Sequence, residues 1–483
     1  MSVTVELYSD KIEGKYGEVI FVNEDKYGVK EETLKLFLEN TSFKGLDQEI
    51  EYLSVLKEEE IKNYILVGLG KTEKMTLEKY KKALAKVIKE GEKRKLDYII
   101  LDIKDISLFP DNDIITRITT ETAILAGYKF NKYKTQEKEK EAKDLKLILK
   151  NGGAEALLEG QNLGESTLIA RDLINEPANV MTPQALAKEA QARGKEAGFE
   201  VQVLEKKDIE ELGMGAFLAV AEGSEKDPVL IVMRYLNNPE HPKEINGIVG
   251  KGLIYDSGGL SIKPSNSMLE MKSDMSGAAG VIGAFTAIAK GNLKTNAIGV
   301  IAACENMISG KSYHPGDIIT SMAGKTIFIG NTDAEGRLTL VDAIHYIIEK
   351  EKVTNVLDIA TLTGAAVVAL GDTTTAALSN NDDFYHEIAE GSKEADERIW
   401  RLPLFDDYRE KIKAKEADLT NSAGNPGTIT AALFIEAFVQ DKPWVHLDIA
   451  GTSWTEKDYD YYSAGGTGYG VRTIYHWLNN KSQ

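Results

Sequence analysis

Two segments of the chain place charged residues among glycines, in surroundings that are otherwise apolar. They are residues 250–274, which begin GKGLIYDSGG, and residues 331–338, which read NTDAEGRL. An isolated ion close to a hydrophobic core costs many kcal/mol, so charges of this kind have to be paired or have to hold a metal. The two segments therefore form a candidate site of four carboxylates and three fixed cations: Lys251, Asp256, Lys263, Asp274, Asp333, Glu335 and Arg337.

Oxygen ligands dominate this candidate site, which is poor in imidazole and thiolate. Carboxylates suit Mg²⁺, Mn²⁺ or Zn²⁺, and four of them are too many for one ion with an open coordination position. Two ions about 3.5 Å apart would use them all, would acidify a water between them and would polarise a carbonyl or phosphoryl oxygen. Two alternatives stay open on spacing alone, a network of structural ion pairs and a single-metal or phosphate site. Lys251 and Lys263 fit a charge-balancing role or, if a cation deprotonates the amine, a nitrogen ligand.

Several common catalytic motifs are absent from the sequence. The Gly-Lys-Thr or Gly-Lys-Ser triplets at 70–72, 310–312 and 324–326 lack the earlier glycine that a phosphate loop requires. The Gly-x-Gly pairs at 68–70 and 213–215 lack the third glycine of a dinucleotide-binding turn. The six histidines form no His-Glu-x-x-His, and no Gly-x-Ser-x-Gly occurs. The carboxylate-rich segments are therefore the strongest candidate for chemistry.

Length, charge and cysteine content limit the class of protein. A chain of 483 residues exceeds one ordinary core, so we expect two domains, and 42% hydrophobic residues suffice to bury both. A net charge of -18 disfavours a general nucleic-acid or anionic-membrane binder, because phosphate binding needs clustered Lys and Arg. A single cysteine, Cys304, an N-terminus without a signal-like pattern and no apolar run of roughly 18 residues lead us to expect a cytoplasmic protein.

The first third of the chain predicts a small α/β domain. Residues 63–69 and 97–103 are typical of buried strands, and residues 76–94 between them carry apolar side chains at helical spacing, which implies a parallel crossover. The lysine-rich stretch 129–150 alternates with glutamates and predicts a solvated helix face. The predicted boundaries are 1–153 for this domain, 154–175 for a connecting helix and 176–483 for a second domain. Without a candidate site of its own, the first domain is expected to serve assembly or regulation.

The second domain is expected to be a mostly parallel sheet covered by helices on both faces. Strands are predicted at residues 200–204, 229–233, 245–249, 297–303, 356–360 and 445–449, and helices at 182–198, 277–289, 338–349 and 428–439. Asp256 comes after the strand that ends near Val249, and ligands of open α/β sheets lie beyond the carboxyl ends of strands. Asp274 and Asp333 each precede a helix start, where negative charge is favoured. The carboxylates are therefore expected to converge.

At these residues the chain resembles the leucyl (cytosol) aminopeptidase family. Residues 249–284 (VGKGLIYDSGGLSIKPSNSMLEMKSDMSGAAGVIGA) and residues 331–338 are similar to its signatures, and the second is very specific to it. Further similarity lies in RDLINEPANVMTP, HPGDII, ATLTGA and HLDIAGT, so that the resemblance covers the second domain. It implies a zinc-exopeptidase-like fold for that domain. The departures are Ile254 and Tyr255, where a Thr-Phe pair is common, and Ile308, where many members have proline.

The resemblance implies a role in metal binding for five residues. Asp256 and Glu335 would each contact both of two divalent ions, Mn²⁺ or Zn²⁺. Asp333 would bind one ion, and Lys251, as a neutral amine, and Asp274 would bind the other. The ligands of both ions are thus present in this sequence.

The resemblance also implies two catalytic residues. Lys263 would hold the substrate carbonyl and its developing oxyanion, which is usually the largest electrostatic contribution to acyl transfer. Arg337 would hold a bicarbonate that serves as general base, with the help of main-chain groups of Ala334, Gly336 and Leu362. No side chain of the two segments is itself an evident base, so a bound anion would fill that gap.

The substrate implied by the resemblance is a peptide with a free N-terminus. Its α-amine would ligate the second ion and place the first peptide carbonyl for attack, so that a blocked peptide would be excluded. Met271, Thr361, Gly364 and Ala450 match positions that line the side-chain pocket of the family, which implies apolar N-terminal residues such as leucine. Family members are hexamers, and we expect a homohexamer that binds neither membranes nor nucleic acids.

Two functions from other classes stay open from the residues. One is a nonhydrolytic scaffold or DNA-binding regulator on the same fold, which the complete set of candidate ligands and the acidic charge disfavour. The other is a metal-dependent phosphohydrolase, which would fit the ligands but lacks additional basic residues to hold a phosphate. Metal-dependent release of N-terminal amino acids is the function that we predict.

Overall fold

A computed structural model of the chain describes residues 3–9, 12–25, 32–57, 60–106, 111–135 and 144–482. The chain forms two compact units, Met1–Leu168 with Glu456–Ala464 and Ile169–Thr455 with Gly465–Gln483. The domain boundaries at 153 and 175 stay a prediction. Among the described residues, none of the helices combines the length and the apolar character that a membrane span requires.

The first unit is a parallel sheet with one antiparallel edge strand. Its elements are β1 (Val3–Leu7), β2 (Tyr16–Asn23), α1 (Glu32–Asn40), β3 (Ile50–Lys57), β4 (Glu60–Gly70), α2 (Leu77–Lys93), β5 (Tyr98–Asp102), α3 (Asn112–Ala126) and β6 (Leu145–Lys150). The described strands are ordered β1-β6-β5-β2-β4-β3, and only β3 and β4 pair antiparallel. The α/β character predicted for this part of the chain is confirmed, including β4, α2 and β5.

One expectation for the first unit is wrong. The stretch 129–150 was expected to be a solvated helix face, but Leu145–Lys150 is the strand β6, in which Leu145, Leu147, Ile148 and Leu149 are buried. Residues 136–143 of the stretch lie outside the described residues. The apolar run at its end pairs with β1 and β5, so that sheet formation decides its structure instead of the lysine and glutamate content.

The helix predicted as a connector is α4 (Ala154–Asn175). The next helix, α5 (Pro183–Ala197), confirms the helix predicted at 182–198. The Thr182 side chain accepts a hydrogen bond from the Ala185 backbone at its start, and Gly198 at its end has a left-handed conformation (φ 97°). The remaining elements are β7 (Glu200–Leu204), α6 (Lys206–Glu211), α7 (Gly215–Ala221), β8 (Val229–Leu236), β9 (Asn246–Asp256), α8 (Ser265–Met268), α9 (Ser276–Lys290), β10 (Asn296–Asn306), β11 (Ile318–Thr320), β12 (Thr326–Phe328), α10 (Gly336–Glu349), β13 (Asn355–Ala360), α11 (Gly364–Leu370), β14 (Thr375–Ser379), α12 (Asp382–Ala395), β15 (Ile399–Arg401), β16 (Leu419–Thr420), α13 (Gly427–Glu436), β17 (Trp444–Asp448), β18 (Trp454–Thr455), β19 (Gly465–Gly466) and α14 (Val471–Ser482), with short 3-10 helices at Thr72–Lys74, Ile103–Asp105, Met271–Met275 and Asp406–Ile412.

The second unit is organised around a sheet of described strands ordered β15-β14-β17-β13-β9-β10-β8-β7. Its centre, β17-β13-β9-β10, is parallel, and the outer strands β7, β8 and β14 add antiparallel pairs. A β-carbon on Gly250 would lie 2.8 Å from Ala278 in α9, whereas the side chain of the next residue, Lys251, passes Gly336 at the start of α10. Because successive residues of a strand face opposite sides, α9 and α10 cover opposite faces of β9. The predicted fold class is confirmed.

The strand that carries the first candidate ligands is longer than the sequence suggested. It was expected to end near Val249, with Asp256 in the following loop, but β9 continues to Asp256 and contains Lys251. The extension is paired with β10, for example Lys251 with Ala302 and Asp256 with Asn306, with one register shift between Cys304 and Glu305. Glycine and lysine are uncommon in strands, so this part of β9 does not look like a strand in the sequence. The neighbouring strand β10 supplies the hydrogen bonds that extend it.

Candidate metal centre

Asp256 and Lys263 form the first part of the site, at the carboxyl end of β9. The Oδ1 atom of Asp256 accepts hydrogen bonds from the Gly258 backbone (2.9 Å) and from Asn306 Nδ2 (2.8 Å). Gly258 has φ 85°, a left-handed conformation that glycine adopts most easily and that turns the chain back at the strand end. The chain then places Lys263 Nζ 2.8 Å from Asp256 Oδ2.

Lys251 connects two further carboxylates. Its side chain is 3% exposed, and Nζ lies 2.8 Å from Asp274 Oδ1 and 2.9 Å from Glu335 Oε1. It also donates to the Thr361 carbonyl at 2.9 Å. Asp274 lies in the 3-10 helix before α9, and Glu335 directly precedes α10, so that helix starts bring both carboxylates to β9.

Asp333 completes the set. Its side chain lies 2.6 Å from Lys263 Nζ, and its backbone N–H donates to Asn331 Oδ1 at 2.8 Å. Asp256, Asp333 and Glu335 each offer one carboxylate oxygen, and these three oxygens lie within 4.8 Å of one another. Asp274 is joined to this group through Lys251. The structure thus brings together all five residues that the sequence predicted as metal ligands, together with Lys263.

The electrostatics of the site reflect an excess of buried carboxylates. Burial and the neighbouring Asp256 raise the pKa of Glu335 to about 8, and burial raises the pKa of Asp274 to about 6 against the opposing effect of Lys251. Burial by itself would lower the pKa of Lys251, but Asp274 and Glu335 outweigh it and raise that pKa above its usual value. Four carboxylates against two ammonium groups leave an uncompensated negative charge, which further cations would neutralise.

Two buried carboxylate oxygens test whether the site fits metal ions. Asp274 Oδ2 and Glu335 Oε2 have no hydrogen-bond partner among the described residues. Leaving a buried carboxylate oxygen without a hydrogen-bond partner costs folding free energy. Such an oxygen is well suited to act as a ligand of a divalent cation. Carboxylates with an adjacent amine also form a donor set that suits Mn²⁺ or Zn²⁺. The residues present therefore fit a divalent-metal site.

Arg337 lies at the start of α10 and is 9% exposed. Its Nη1 atom donates to the Asn421 carbonyl at 2.8 Å, whereas its Nε has no partner among the described residues. Burial lowers the pKa of this guanidinium to about 10. A buried cation with a free donor is suited to hold a small anion.

The remaining predicted site residues lie at or next to the ends of strands and helices of the second unit. Thr361 Oγ1 donates to Asp274 Oδ1 at 2.8 Å, and Met271 begins the 3-10 helix that contains Asp274. Gly364 is the first residue of α11, and no described atom lies within 4 Å of a β-carbon placed on it. Ala334 is buried, and its carbonyl accepts a hydrogen bond from Asn421 Nδ2 at 3.2 Å.

Asp448, which the sequence analysis did not single out, organises the residues after β13. Its Oδ1 accepts hydrogen bonds from the backbones of Leu362 (3.1 Å) and Ala450 (3.2 Å), and its Oδ2 accepts one from Thr363 Oγ1 (2.6 Å). The Leu362 N–H is therefore already engaged. An acidic residue at the end of a buried strand is a signal that could have identified Asp448.

Asn421 and Asn306 were also missed. Asn421 Nδ2 donates to the Asn331 carbonyl at 2.7 Å, and its Oδ1 accepts from the Gly330 backbone at 2.8 Å, so that one buried side chain holds the start of the NTDAEGRL segment. Nothing in the local sequence around Asn421 indicates this contact. Asn306 ends the apolar strand β10 and could have been identified, like Asp448, from its place at a strand end.

The chain matches two family models. The model of the catalytic domain of the cytosol aminopeptidase family matches residues 168–475, and the model of the N-terminal domain of the same family matches residues 28–137. A probable cytosol aminopeptidase of Clostridium perfringens (strain 13 / Type A) is 47% identical over 460 residues, 93% of this chain and 92% of that protein. A probable cytosol aminopeptidase of Alkaliphilus metalliredigens (strain QYMF) is 46% identical over 442 residues, 90% of this chain and 88% of that protein.

Two solved structures are similar over nearly the whole chain. The bottromycin maturation enzyme BotP is 30% identical with a TM-score of 0.87 and covers 97% of this chain and 100% of its own. The same enzyme in complex with Mn is 31% identical with a TM-score of 0.86 and covers 97% of this chain and 99% of its own. These matches extend to the first unit, which the resemblance of the sequence motifs did not cover.

Proposed function

This chain belongs to the cytosol aminopeptidase family and is a metal-dependent aminopeptidase, and we propose that it uses two divalent ions to release apolar N-terminal residues from peptides. The observation that carries the proposal is the convergence of Asp256, Asp333 and Glu335, whose oxygens lie within 4.8 Å of one another. When bound, the ions supply an activated water and polarise the scissile carbonyl. Manganese is the first candidate, because a similar enzyme has been solved with Mn.

Five residues would hold the two ions. Asp256 and Glu335 would contact both, Asp333 would contact one, and Lys251 and Asp274 would contact the other. The unpartnered Asp274 Oδ2 and Glu335 Oε2 support this assignment, since each is a buried acceptor without a donor among the described residues. Lys251 Nζ lies within 3 Å of both Asp274 and Glu335. After loss of its proton, this nitrogen would be placed to bind the same ion as these two carboxylates.

Lys263 would act on the substrate carbonyl. Its ammonium lies between Asp256 and Asp333, which hold it on the side of the carboxylate cluster. Burial alone would lower its pKa, but Asp256 and Glu335 outweigh burial and raise it, so the group carries a positive charge at neutral pH. A fixed cation directed at the oxygen that gains negative charge lowers the barrier of acyl transfer.

Arg337 would hold a bicarbonate that accepts the proton of the attacking water. Its unpartnered Nε is the donor that supports this part of the proposal. Main-chain groups of Ala334 and Gly336 would assist. The Leu362 N–H donates to Asp448, so any contribution of Leu362 would come from another main-chain atom.

The substrate would be anchored by its free α-amine, with its first side chain near Met271, Thr361, Gly364 and Ala450. The open space at Gly364 supports a pocket at that position. We also propose a cytoplasmic homohexamer, which sedimentation analysis would identify by a mass about six times 53.1 kDa. A monomer or dimer would contradict the assembly without affecting the proposed chemistry.

The experiment is hydrolysis of leucine p-nitroanilide by the Mn²⁺-loaded protein. We expect release of p-nitroaniline by the wild type, loss of it in Glu335→Ala and retention in Glu349→Ala, a matched change at the other end of α10. N-acetyl-leucine p-nitroanilide should not react, because its amine is blocked. Turnover of p-nitrophenyl phosphate without peptide hydrolysis would favour a phosphohydrolase, and activity of Glu335→Ala equal to wild type would contradict the proposal.

A further inference from the structure

Asn306, to which the proposed chemistry gives no role, joins the two segments that carry the candidate ligands. It is the last residue of β10 and lies in register with Asp256, the last residue of β9. Its side chain is completely buried. The Nδ2 atom donates to Asp256 Oδ1 at 2.8 Å and to the Thr332 carbonyl at 3.0 Å. One amide thus connects Asp256 with the residue that precedes Asp333.

The hydrogen-bond partners determine the orientation of this amide. A carboxylate oxygen and a backbone carbonyl only accept hydrogen bonds, so the NH₂ group of Asn306 has to face them. The Asn306 Oδ1 has no hydrogen-bond partner among the described residues and lies against Gly259, where an added β-carbon would come within 2.9 Å of it. The Asn306 backbone carbonyl accepts from Ser257 N (3.0 Å) and Ser257 Oγ (2.7 Å), which fixes the main chain as well.

These contacts determine how Asp256 is presented to the site. Asn306 and the Gly258 backbone both donate to Oδ1 of Asp256, and Oδ2 is left on the side of Lys263 and the other carboxylates. A carboxylate that is held by two donors on one oxygen cannot rotate freely. Removal of a group that orients a metal ligand in this way commonly lowers the affinity of the site for the metal.

Thr332, the second hydrogen-bond partner of the Asn306 amide, is also held by several hydrogen bonds. The Thr332 carbonyl also accepts a hydrogen bond from Tyr313 Oη at 2.9 Å. Thr332 Oγ1 donates to the Gly258 carbonyl at 2.7 Å and accepts from the Ser261 backbone at 2.8 Å. The loop after β9 and the loop that carries Asp333 are therefore hydrogen-bonded to each other next to Asn306. The separation of their carboxylates depends on these hydrogen bonds.

We propose that Asn306 is a positioning residue of the metal centre, which holds Asp256 and the Asp333 segment at the separation that lets their carboxylates share cations. The inference rests on the proposed function in so far as these carboxylates bind ions. Asn306 contacts Asp256 and the Thr332 carbonyl, and it would act on the metal centre through them. Its removal therefore affects the affinity for metal more than the turnover of the metal-saturated protein.

Asn296 provides a matched control in the same strand. It is the first residue of β10, is 4% exposed, and its Nδ2 donates to the carbonyls of Asn238 (3.1 Å), His241 (2.9 Å) and Glu244 (3.3 Å). Ten residues of a strand separate it from Asn306, which is roughly 33 Å. Replacing either asparagine by alanine removes a buried amide and its hydrogen bonds, but only Asn306 lies at the candidate site.

The test measures Mn²⁺ binding to chelator-stripped full-length protein by isothermal titration calorimetry. We expect Asn306→Ala to raise the dissociation constant about 10- to 100-fold, and Asn306→Ser, too short to bridge both partners, to raise it as well. Asn296→Ala should keep the wild-type constant within about twofold although it lowers the melting temperature. With saturating Mn²⁺, Asn306→Ala should recover most of the wild-type kcat, as expected of a positioning residue.

Two results would overturn the inference. One is a dissociation constant for Mn²⁺ that is unchanged in both Asn306 variants. The other is a loss of Mn²⁺ affinity in Asn296→Ala as large as that in Asn306→Ala, which would mean that a general loss of stability causes both. Failure of the proposed function is distinguishable from either result. A wild type that binds Mn²⁺ but does not hydrolyse leucine p-nitroanilide would contradict the proposed function and leave the role of Asn306 in metal affinity standing.

Discussion

The side chain of Lys251 passes so close to Gly336 that a β-carbon at residue 336 would lie 2.4 Å from Lys251 Cε and 2.6 Å from its Nζ. The absence of a side chain at the first residue of α10 is therefore a condition for the position of the lysine between Asp274 and Glu335. Gly336→Ala is expected to displace Lys251 and to lower kcat/KM for leucine p-nitroanilide at least ~100-fold, since displacements of about 1 Å have effects of this size.

A steady-state assay at saturating Mn²⁺ measures this effect. Gly310→Ala is the control, because no described atom lies within 4 Å of a β-carbon at that glycine. Activity of Gly336→Ala within a few-fold of the control would show that Lys251 does not need its present position.

Lys263→Met removes the ammonium proposed to hold the carbonyl oxygen. Because this interaction grows as the oxygen gains charge, we expect kcat to fall roughly 100- to 1,000-fold, with a much smaller change in KM. The measurement is a full Michaelis analysis with Mn²⁺ in excess. Lys311→Ala, a change of an exposed lysine, should leave both constants unchanged, and a rise in KM alone for Lys263→Met would assign the lysine to substrate binding only.

Gly364→Ala tests the proposed side-chain pocket. The added methyl group meets no described atom within 4 Å, so the melting temperature should stay at the wild-type value. If the open space receives the substrate side chain, the ratio of kcat/KM for leucine over alanine p-nitroanilide should fall about tenfold or more, the usual effect of one methyl group in a fitted pocket. An unchanged ratio would place the substrate side chain elsewhere.

Removal of metal should lower stability as well as activity. Without cations the buried carboxylates of the site face an excess of negative charge, and ligands that bind only the folded state stabilise it by about 2.7 kcal/mol at 100 times their dissociation constant. Thermal unfolding in EDTA and after addition of Mn²⁺ measures the difference. Glu335→Ala, without a central ligand, should show a smaller increase in melting temperature, and an equal increase would indicate that Mn²⁺ binds outside this site.

Asp342 is expected to make stability depend on pH. It is completely buried in α10, accepts hydrogen bonds from the backbones of Phe217 (3.0 Å) and Met322 (2.8 Å), and burial raises its pKa to about 7. The unfolded chain ionises this group near pH 4. Its stabilising contribution is therefore complete below about pH 4 and is lost as the pH rises through about 7, by up to about 4 kcal/mol.

Asp342→Asn removes this titration. The amide of the variant has one acceptor oxygen fewer than the carboxylate, and this loss lowers the stability of the variant equally at every pH. The melting temperature of Asp342→Asn minus that of the wild type should nevertheless be higher at pH 8 than at pH 5. Thermal unfolding of both proteins at the two pH values, at one fixed Mn²⁺ concentration, measures the difference. A difference between the proteins that does not change with pH would contradict the raised pKa.

The sequence by itself determined which residues are the candidates for the chemistry. Seven charged residues in two glycine-containing segments are unusual enough to be identified without coordinates, and the helices that follow Asp274 and Asp333 are predicted from apolar spacing. These signals are local, because helix starts and strand ends depend on neighbours along the chain. The same locality explains the error at β9, where Gly250 and Lys251 look like the start of a loop until β10 pairs with them.

Only the tertiary structure decided how those residues are paired and held. Lys251 joins Asp274 to Glu335, and Asn306 and Asn421 fix loops from positions that are distant in the sequence. Such contacts depend on strand register and on the meeting of separate loops, which leave no periodicity in the chain. A buried amide next to a strand end looks the same in the sequence whether it orients a metal ligand, as we propose for Asn306, or closes a turn, as Asn296 does.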